Sequence, residues 1–271
     1  MRRAAVVALV GVLLAGCGGS NPAAGALAET EEKLGAVRSG TLSMRLLASS
    51  TTAAEGEGSG FQLDGPFAVG EKKGSLPVAD LRYTRITGAQ RRTTRFVSTG
   101  TRAFVEVDGR TTELTEAQLA DLRVTEEGAG GGLDGLSLRR WLDDPKVATG
   151  PSIDGVATEQ ITGKADAVAI LNDVIGLTER FGAGDGTLKP LNGDAADRVR
   201  RAVAGARAEV VTGTDDRLLR KADVSVELAV TDPKVREALG DLAGARLTLT
   251  LAVTELNRPV EVAVPQGQAR R

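Results

Sequence analysis

An α+β fold built on one large, curled antiparallel sheet is the architecture that this 271-residue chain predicts. Most of its length alternates apolar and polar residues in about ten short runs, the pattern of strands with one buried face. Tight turns join these runs, so neighbouring strands are antiparallel. Helical periods are few and fall mainly in a middle block. A single sheet of this size curls strongly, and its concave apolar face needs cover that those helices can provide.

The chain opens with Arg2 and Arg3, an apolar run from Ala4 to Leu14, and small residues. The run is too short to span a bilayer, which needs about 20 apolar residues, and it fits the apolar core of a secretory signal. Leu14-Ala15-Gly16-Cys17 resembles the lipobox of bacterial lipoproteins, in which the cysteine after the cut carries lipid. Cys17 is the only cysteine of the chain. A thiolate is the strongest nucleophile among the side chains for making a thioether. Two acyl chains are needed for stable anchoring, so the resemblance implies a diacylglyceryl group on Cys17 with an N-acyl chain such as palmitate beside it. The expected layout is a signal peptide over Met1–Gly16, the acylated cysteine and a flexible tether over Cys17–Ala26, and one domain over Leu27–Pro265. The protein would then sit on the outer face of the cytoplasmic membrane.

Ala28–Arg38 reads as a first helix, with Leu34 and Val37 near one face and Ser39-Gly40 as its stop. Strands follow. Leu42, Met44 and Leu46 alternate with Ser43 and Arg45, and Phe61, Leu63 and Phe67 with Gln62 and Asp64. Val78–Thr87 places Leu81 and Tyr83 on one side and Arg82 and Thr84 on the other. Thr93–Ser98 and Arg102–Val107 come next. Asp108-Gly109 is a two-residue turn suited to type I′, and Arg110–Leu114 pairs back.

The middle block begins with Thr115, an N-cap with Gln118 three residues on. A glycine-rich loop spans Glu126–Gly135. Ser137 caps a short helix bearing Leu138, Trp141 and Leu142, ended by Pro145. Val147–Thr149 and Ile153–Gly163 return to strand. Asp166–Thr178 is an amphipathic helix with Val168, Leu171, Val174 and Ile175 at helical spacing. Asp194–Ala204 is a more polar one. Glu209–Val211 is a short strand. Val224, Val226, Leu228 and Val230 alternate with polar residues, as do Leu247, Leu249, Leu251 and Val253, then Val260, Val262 and Val264.

Composition excludes several functions. The chain has 34 basic and 36 acidic residues; without Arg2 and Arg3 the count is 32 against 36, or −4. Nucleic-acid binding demands a basic patch, which this balance does not suggest. With no histidine, Ser-His-Asp and Cys-His catalysis and histidine-bound metal sites are out. No cofactor motif is present. The acidic pairs Asp143-Asp144, Asp215-Asp216 and Glu126-Glu127 lie in turn-like sequence, where adjacent side chains point apart. A glycosidase needs two carboxylates facing across a cleft. No catalytic or metal site is therefore expected.

From periodicity alone the concave face is a filled core, since interiors are close-packed. A resemblance points further. Ser39-Gly40 with Met44, Leu76-Pro77-Val78 with Leu81-Arg82-Tyr83, and Phe104–Gly109 resemble, in this order, the LppX/LprG/LprA/LprF group of actinobacterial lipoproteins. So do the helix around Trp141-Leu142, Asp154–Thr158 through Ile161–Gly163, and the helix Ala165–Thr178. The group shares the fold of the periplasmic lipoprotein carrier LolA. Glu126–Gly135 and Phe181–Asn192 would be insertions.

The resemblance implies a half-barrel that binds the acyl chains of a lipid or glycolipid and transports or presents it in the cell envelope. The alternative is a lipid-sensing or interaction module of the same fold with an envelope protein as partner. Candidate lining residues are Leu42, Met44, Leu46, Phe61, Leu63, Phe67, Leu81, Tyr83, Val226, Leu228, Leu249 and Leu251, faced by Val168, Leu171 and Ile175 from the helix. For each, plain core packing is the competing role. Leu138 and Trp141 are candidates for an entrance, with packing again the competitor for Trp141.

Overall fold

The computed structural model describes residues 21–50, 57–70, 72, 75–120, 133–180, 189–229 and 244–265. Cys17, the signal peptide, Glu126-Glu127 and Val230 lie outside the described residues.

Eleven strands form one antiparallel sheet: β1 (Ser39–Ser50), β2 (Ser59–Ala68), β3 (Val78–Thr87), β4 (Gln90–Thr99), β5 (Ala103–Val107), β6 (Arg110–Glu113), β7 (Leu142–Thr149), β8 (Thr158–Ala165), β9 (Val203–Gly213), β10 (Leu219–Leu228) and β11 (Ala245–Thr254). Their order is β6-β5-β4-β3-β2-β1-β11-β10-β9-β8-β7. The sheet is curled and unclosed, with β6 and β7 as its edges. The helices are α1 (Pro22–Glu32), α2 (Glu116–Ala120), α3 (Leu138–Trp141), α4 (Ala167–Arg180) and α5 (Gly193–Ala202), with a 3-10 turn over Leu34–Ala36.

The hairpins follow turn chemistry. Asp108 and Gly109 adopt φ of 50° and 74°, as a type I′ turn requires. Asp154 and Gly155 do the same at 52° and 77°, closing Ile153 onto Val156. At the start of α2, Thr115 N–H donates to Gln118 Oε1 at 3.0 Å, and Gln118 N–H to Thr115 Oγ1 at 3.5 Å. This is the reciprocal capping box. Asp166 caps α4 by accepting from Val168 and Ala169 N–H at 2.9 and 3.1 Å.

Several boundaries differ from expectation, each for a physical reason. The first helix starts at Pro22, so Pro22–Ala26 is not tether. Asn21 Oδ1 accepts from Ala23 N–H at 3.0 Å, and Pro22 stands where a helix needs no N–H. Ala23, Ala26 and Leu27 are buried. Thr30, fully buried, donates to the Ala26 carbonyl at 2.8 Å and meets Thr212 Oγ1 of β9 at 2.9 Å. Arg217 pairs with Glu29, and Arg139 with Glu31. This helix, together with α3, supplies cover that was expected from the middle block alone.

Ser137 makes no side-chain cap bond, and α3 ends at Trp141, four residues before Pro145. Pro145 instead lies within β7, at a register shift between Asp143 and Lys146. An edge strand with a bulge is where a sheet tolerates proline. Val260, Val262 and Val264 form no strand. After Thr254 the chain turns through Glu255 and Asn257, both at positive φ, and Asn257 N–H donates to the Ser39 carbonyl at 2.9 Å. Strand β11 already has β1 and β10 as neighbours, so the segment leaves the sheet.

Candidate functional site: the concave apolar face

Register aligns side chains into rows across the sheet. One row runs Thr94, Tyr83, Leu63, Met44, Leu251, Ala222, Val210, Ile161 and Val147, from β4 to β7. The next runs Arg92, Arg85, Phe61, Leu46, Leu249, Val224 and Ala208. Alternation puts both rows on the same face. That face carries the main core, to which α1 contributes Leu27, the 3-10 turn Leu34, and α3 Leu138 and Trp141.

The structure brings twelve strand candidates onto this face. Leu42, Met44, Phe61, Leu63, Val226, Leu249 and Leu251 are buried members of the core. Leu46, Phe67, Leu81, Tyr83 and Leu228 are half-buried and pack against it. Phe61 and Tyr83 stack with ring centroids 5.8 Å apart. The face is thus buried along its centre, with partly exposed apolar side chains on β1–β3 and at the end of β10.

The helix candidates behave differently. Ala167, Ile170 and Val174 turn α4 to the core, whereas Val168, Leu171 and Ile175 are not members of that cluster. Nearly every position in the first half of α4 is apolar, so spacing alone could not choose the face. Val168 lines a polar cleft of about 220 Å³ between α3, α4 and α5, with Arg140, Asn172, Leu191, Asp197 and Arg200. Asn172 Oδ1 accepts from Leu191 N–H at 2.6 Å and its Nδ2 donates to the Leu191 carbonyl at 3.0 Å, pinning the loop to α4. This cleft is smaller and more polar than a site for an acyl chain.

Leu138 and Trp141, the entrance candidates, are fully buried, so neither reaches the surface. Trp141 Nε1–H donates to Asp173 Oδ2 at 2.7 Å, and Ser137 N–H to the same oxygen at 2.5 Å. Burial pushes the Asp173 carboxyl above its ordinary value, while the two donors oppose that rise.

Charges segregate by face. Outside, Arg95 pairs with Asp80 at 2.7 Å and with Glu106 at 3.3 Å, and its guanidinium holds the Asp80 carboxyl below the usual range. Arg220, buried at the register irregularity of β10, pairs with Asp216, and its Nε has no partner among the described residues. Sequence reasoning passed over Arg220, because an arginine flanking a strand reads as solvated. Of the acidic pairs, Asp143-Asp144 lies at the β7 bulge and Asp215-Asp216 in the β9–β10 turn, where Asp216 is committed to Arg220. Among the described residues no helix is long and apolar enough to cross a membrane.

Comparison with known proteins gives the following. No family model matches the chain, and no curated protein matches it. Among solved structures, LprF from Mycobacterium bovis is 10% identical, covering 91% of this chain and 98% of its own, with a TM-score of 0.43. The lipoprotein LppX from Mycobacterium tuberculosis is 16% identical, covering 90% and 100%, with a TM-score of 0.41. A LolA superfamily protein from Nitrosomonas europaea is 10% identical, covering 88% and 94%, at 0.22. The chain is similar, over most of its length, to two mycobacterial proteins, LprF and the lipoprotein LppX, that bear names of the group its sequence resembles.

Proposed function

We infer that this protein is a lipid-anchored envelope protein that takes the acyl chains of a lipid or glycolipid on its concave face and carries or presents them outside the membrane. The observation that supports this most is the set of apolar side chains Leu46, Phe67, Leu81, Tyr83 and Leu228, which pack against the core yet stay partly exposed. Each CH₂ withdrawn from water is worth about 0.8 kcal/mol, so a long acyl chain needs roughly 10 kcal/mol of apolar contact. Aliphatic side chains supply that without any catalytic group. The lipobox-like Leu14–Cys17 supports the anchor. With α1 beginning at Pro22, the stretch from Cys17 to Asn21 spans at most about 14 Å, which holds the domain against the membrane surface.

A second reading, an interaction module with a filled core, is favoured by the burial of Met44, Val226 and Leu251 as members of one core cluster. Native mass spectrometry separates the two. The whole mature chain carrying Cys17→Ser is produced in an actinobacterial host and purified without detergent. The expected result is a bound mass that solvent extraction releases as a defined lipid. A bare mass, with no uptake of added phospholipid or glycolipid, would favour the filled module.

A further inference from the structure

The inner face of β1–β6 carries three arginines and no carboxylate. Register places Arg85 directly opposite Arg92, and Arg110 opposite Val107 on the neighbouring row. Arg85 is also directly opposite Phe61. The row therefore changes abruptly, from Leu249, Leu46 and Phe61 to Arg85 and Arg92. All three arginines are exposed and make no ion pair or hydrogen bond with any described residue. The strand carboxylates of this half, Asp64, Asp80, Glu106 and Glu113, all fall on the other face. There Asp80 and Glu106 pair with Arg95, Glu113 with Arg102, and Asp64 with the Ser43 hydroxyl.

Like charges directly opposite in a sheet repel at close range, and no carboxylate among the described residues pairs with either arginine. An anion between the two guanidiniums would relieve the repulsion, and the guanidinium fork matches phosphate oxygens in geometry as well as charge. The apolar part of the row abuts the pair, with Phe61 and Tyr83 stacked beside it. An amphipathic ligand is thus matched at both ends.

We propose that Arg85 and Arg92, with Arg110 flanking them, form a headgroup site for the phosphate of an anionic lipid whose acyl chains lie along the partly exposed Tyr83, Leu46 and Leu81. This rests on the acyl-binding reading above and names the class of lipid.

Isothermal titration tests it on the whole mature chain carrying Cys17→Ser, with three probes below their aggregation limits: dioctanoylphosphatidylglycerol, dioctanoylglycerol and inorganic phosphate. The phosphatidylglycerol is expected to bind about tenfold more tightly than the uncharged diacylglycerol, with the difference shrinking as salt rises. In Arg85→Gln/Arg92→Gln that preference disappears while diacylglycerol binding stays, and Arg85→Lys/Arg92→Lys keeps part of it. The double glutamine variant also melts no lower than the parent, since a repulsive pair has been removed. Equal binding of the two lipids by the parent, or a preference that survives in the glutamine variant, overturns the arginine site and leaves acyl binding standing. Inorganic phosphate binding as tightly as the phosphatidylglycerol overturns the lipid source in favour of free phosphate. Binding of neither lipid overturns the acyl reading itself, and the site with it.

Discussion

Trp141→Ala is expected to destabilise the protein by about 3–5 kcal/mol, the range for removing a large aromatic from a close-packed core. Trp141 is the largest fully buried side chain described, and it joins the short helix α3 to α4 through Asp173. Truncation leaves a cavity and removes one of the two donors to the Asp173 carboxylate. The loss therefore depends on pH. A carboxyl whose folded pKa is raised contributes stability that is present in acid and declines as pH rises through that pKa. Without the indole N–H the ionised form is held less well, so the deficit of the variant grows from acid toward neutral pH. Asp173→Asn in the parent removes this component of the slope. Urea unfolding of the three proteins at pH 4 and pH 7 measures both effects. A pH-independent loss below about 1 kcal/mol would contradict the role given to Trp141.

Gly65→Ala is expected to cost about 2–5 kcal/mol, despite adding a single methyl to a strand. Gly65 has φ of +137°, where a side chain is strained whatever the space. A Cβ there would also stand 2.0 Å from the Asp80 carbonyl oxygen of β3. That oxygen is backbone and cannot swing aside without parting β2 from β3. Gly65 sits between Asp64, opposite Arg82, and Phe67, opposite Ala79, so the damage falls on the half of the sheet that carries Phe67, Leu81 and Tyr83. Alanine at Gly155, also at positive φ but with open space around it, should cost less. Equal losses at the two positions would show that backbone conformation alone decides.

The fold was largely legible because strands β1, β2, β3, β10 and β11 present one apolar face at a period of two, while the Asp108-Gly109 turn marks the β5–β6 hairpin. Val78–Thr87 was delimited at both ends by its neighbouring turns. Strand β9 was mostly hidden: Ala204, Gly205, Ala206 and Ala208 give no apolar–polar contrast, and only Glu209–Val211 stood out. The fully alternating Val260–Val264 misled for the opposite reason, since pairing needs a free strand edge that local sequence does not reveal. Of the candidate site, the strand residues could be read because their face follows from alternation. The α4 residues could not, because that helix is apolar on more than one side. The pairing of Arg85 with Arg92 needed the register of β3 and β4, which no run of residues displays by itself.

The most direct test of acyl binding on the concave face is photolabelling with a diazirine-bearing palmitoyl phospholipid, followed by peptide mapping. The mature chain carrying Cys17→Ser is loaded from vesicles, separated from them, and irradiated. Label on β1–β3, centred on Leu46, Phe67, Leu81 and Tyr83, and lost on competition with unlabelled lipid, is the expected result. Label confined to the outer face, around Asp64, Arg82 and Arg95, or spread without competition, would contradict it.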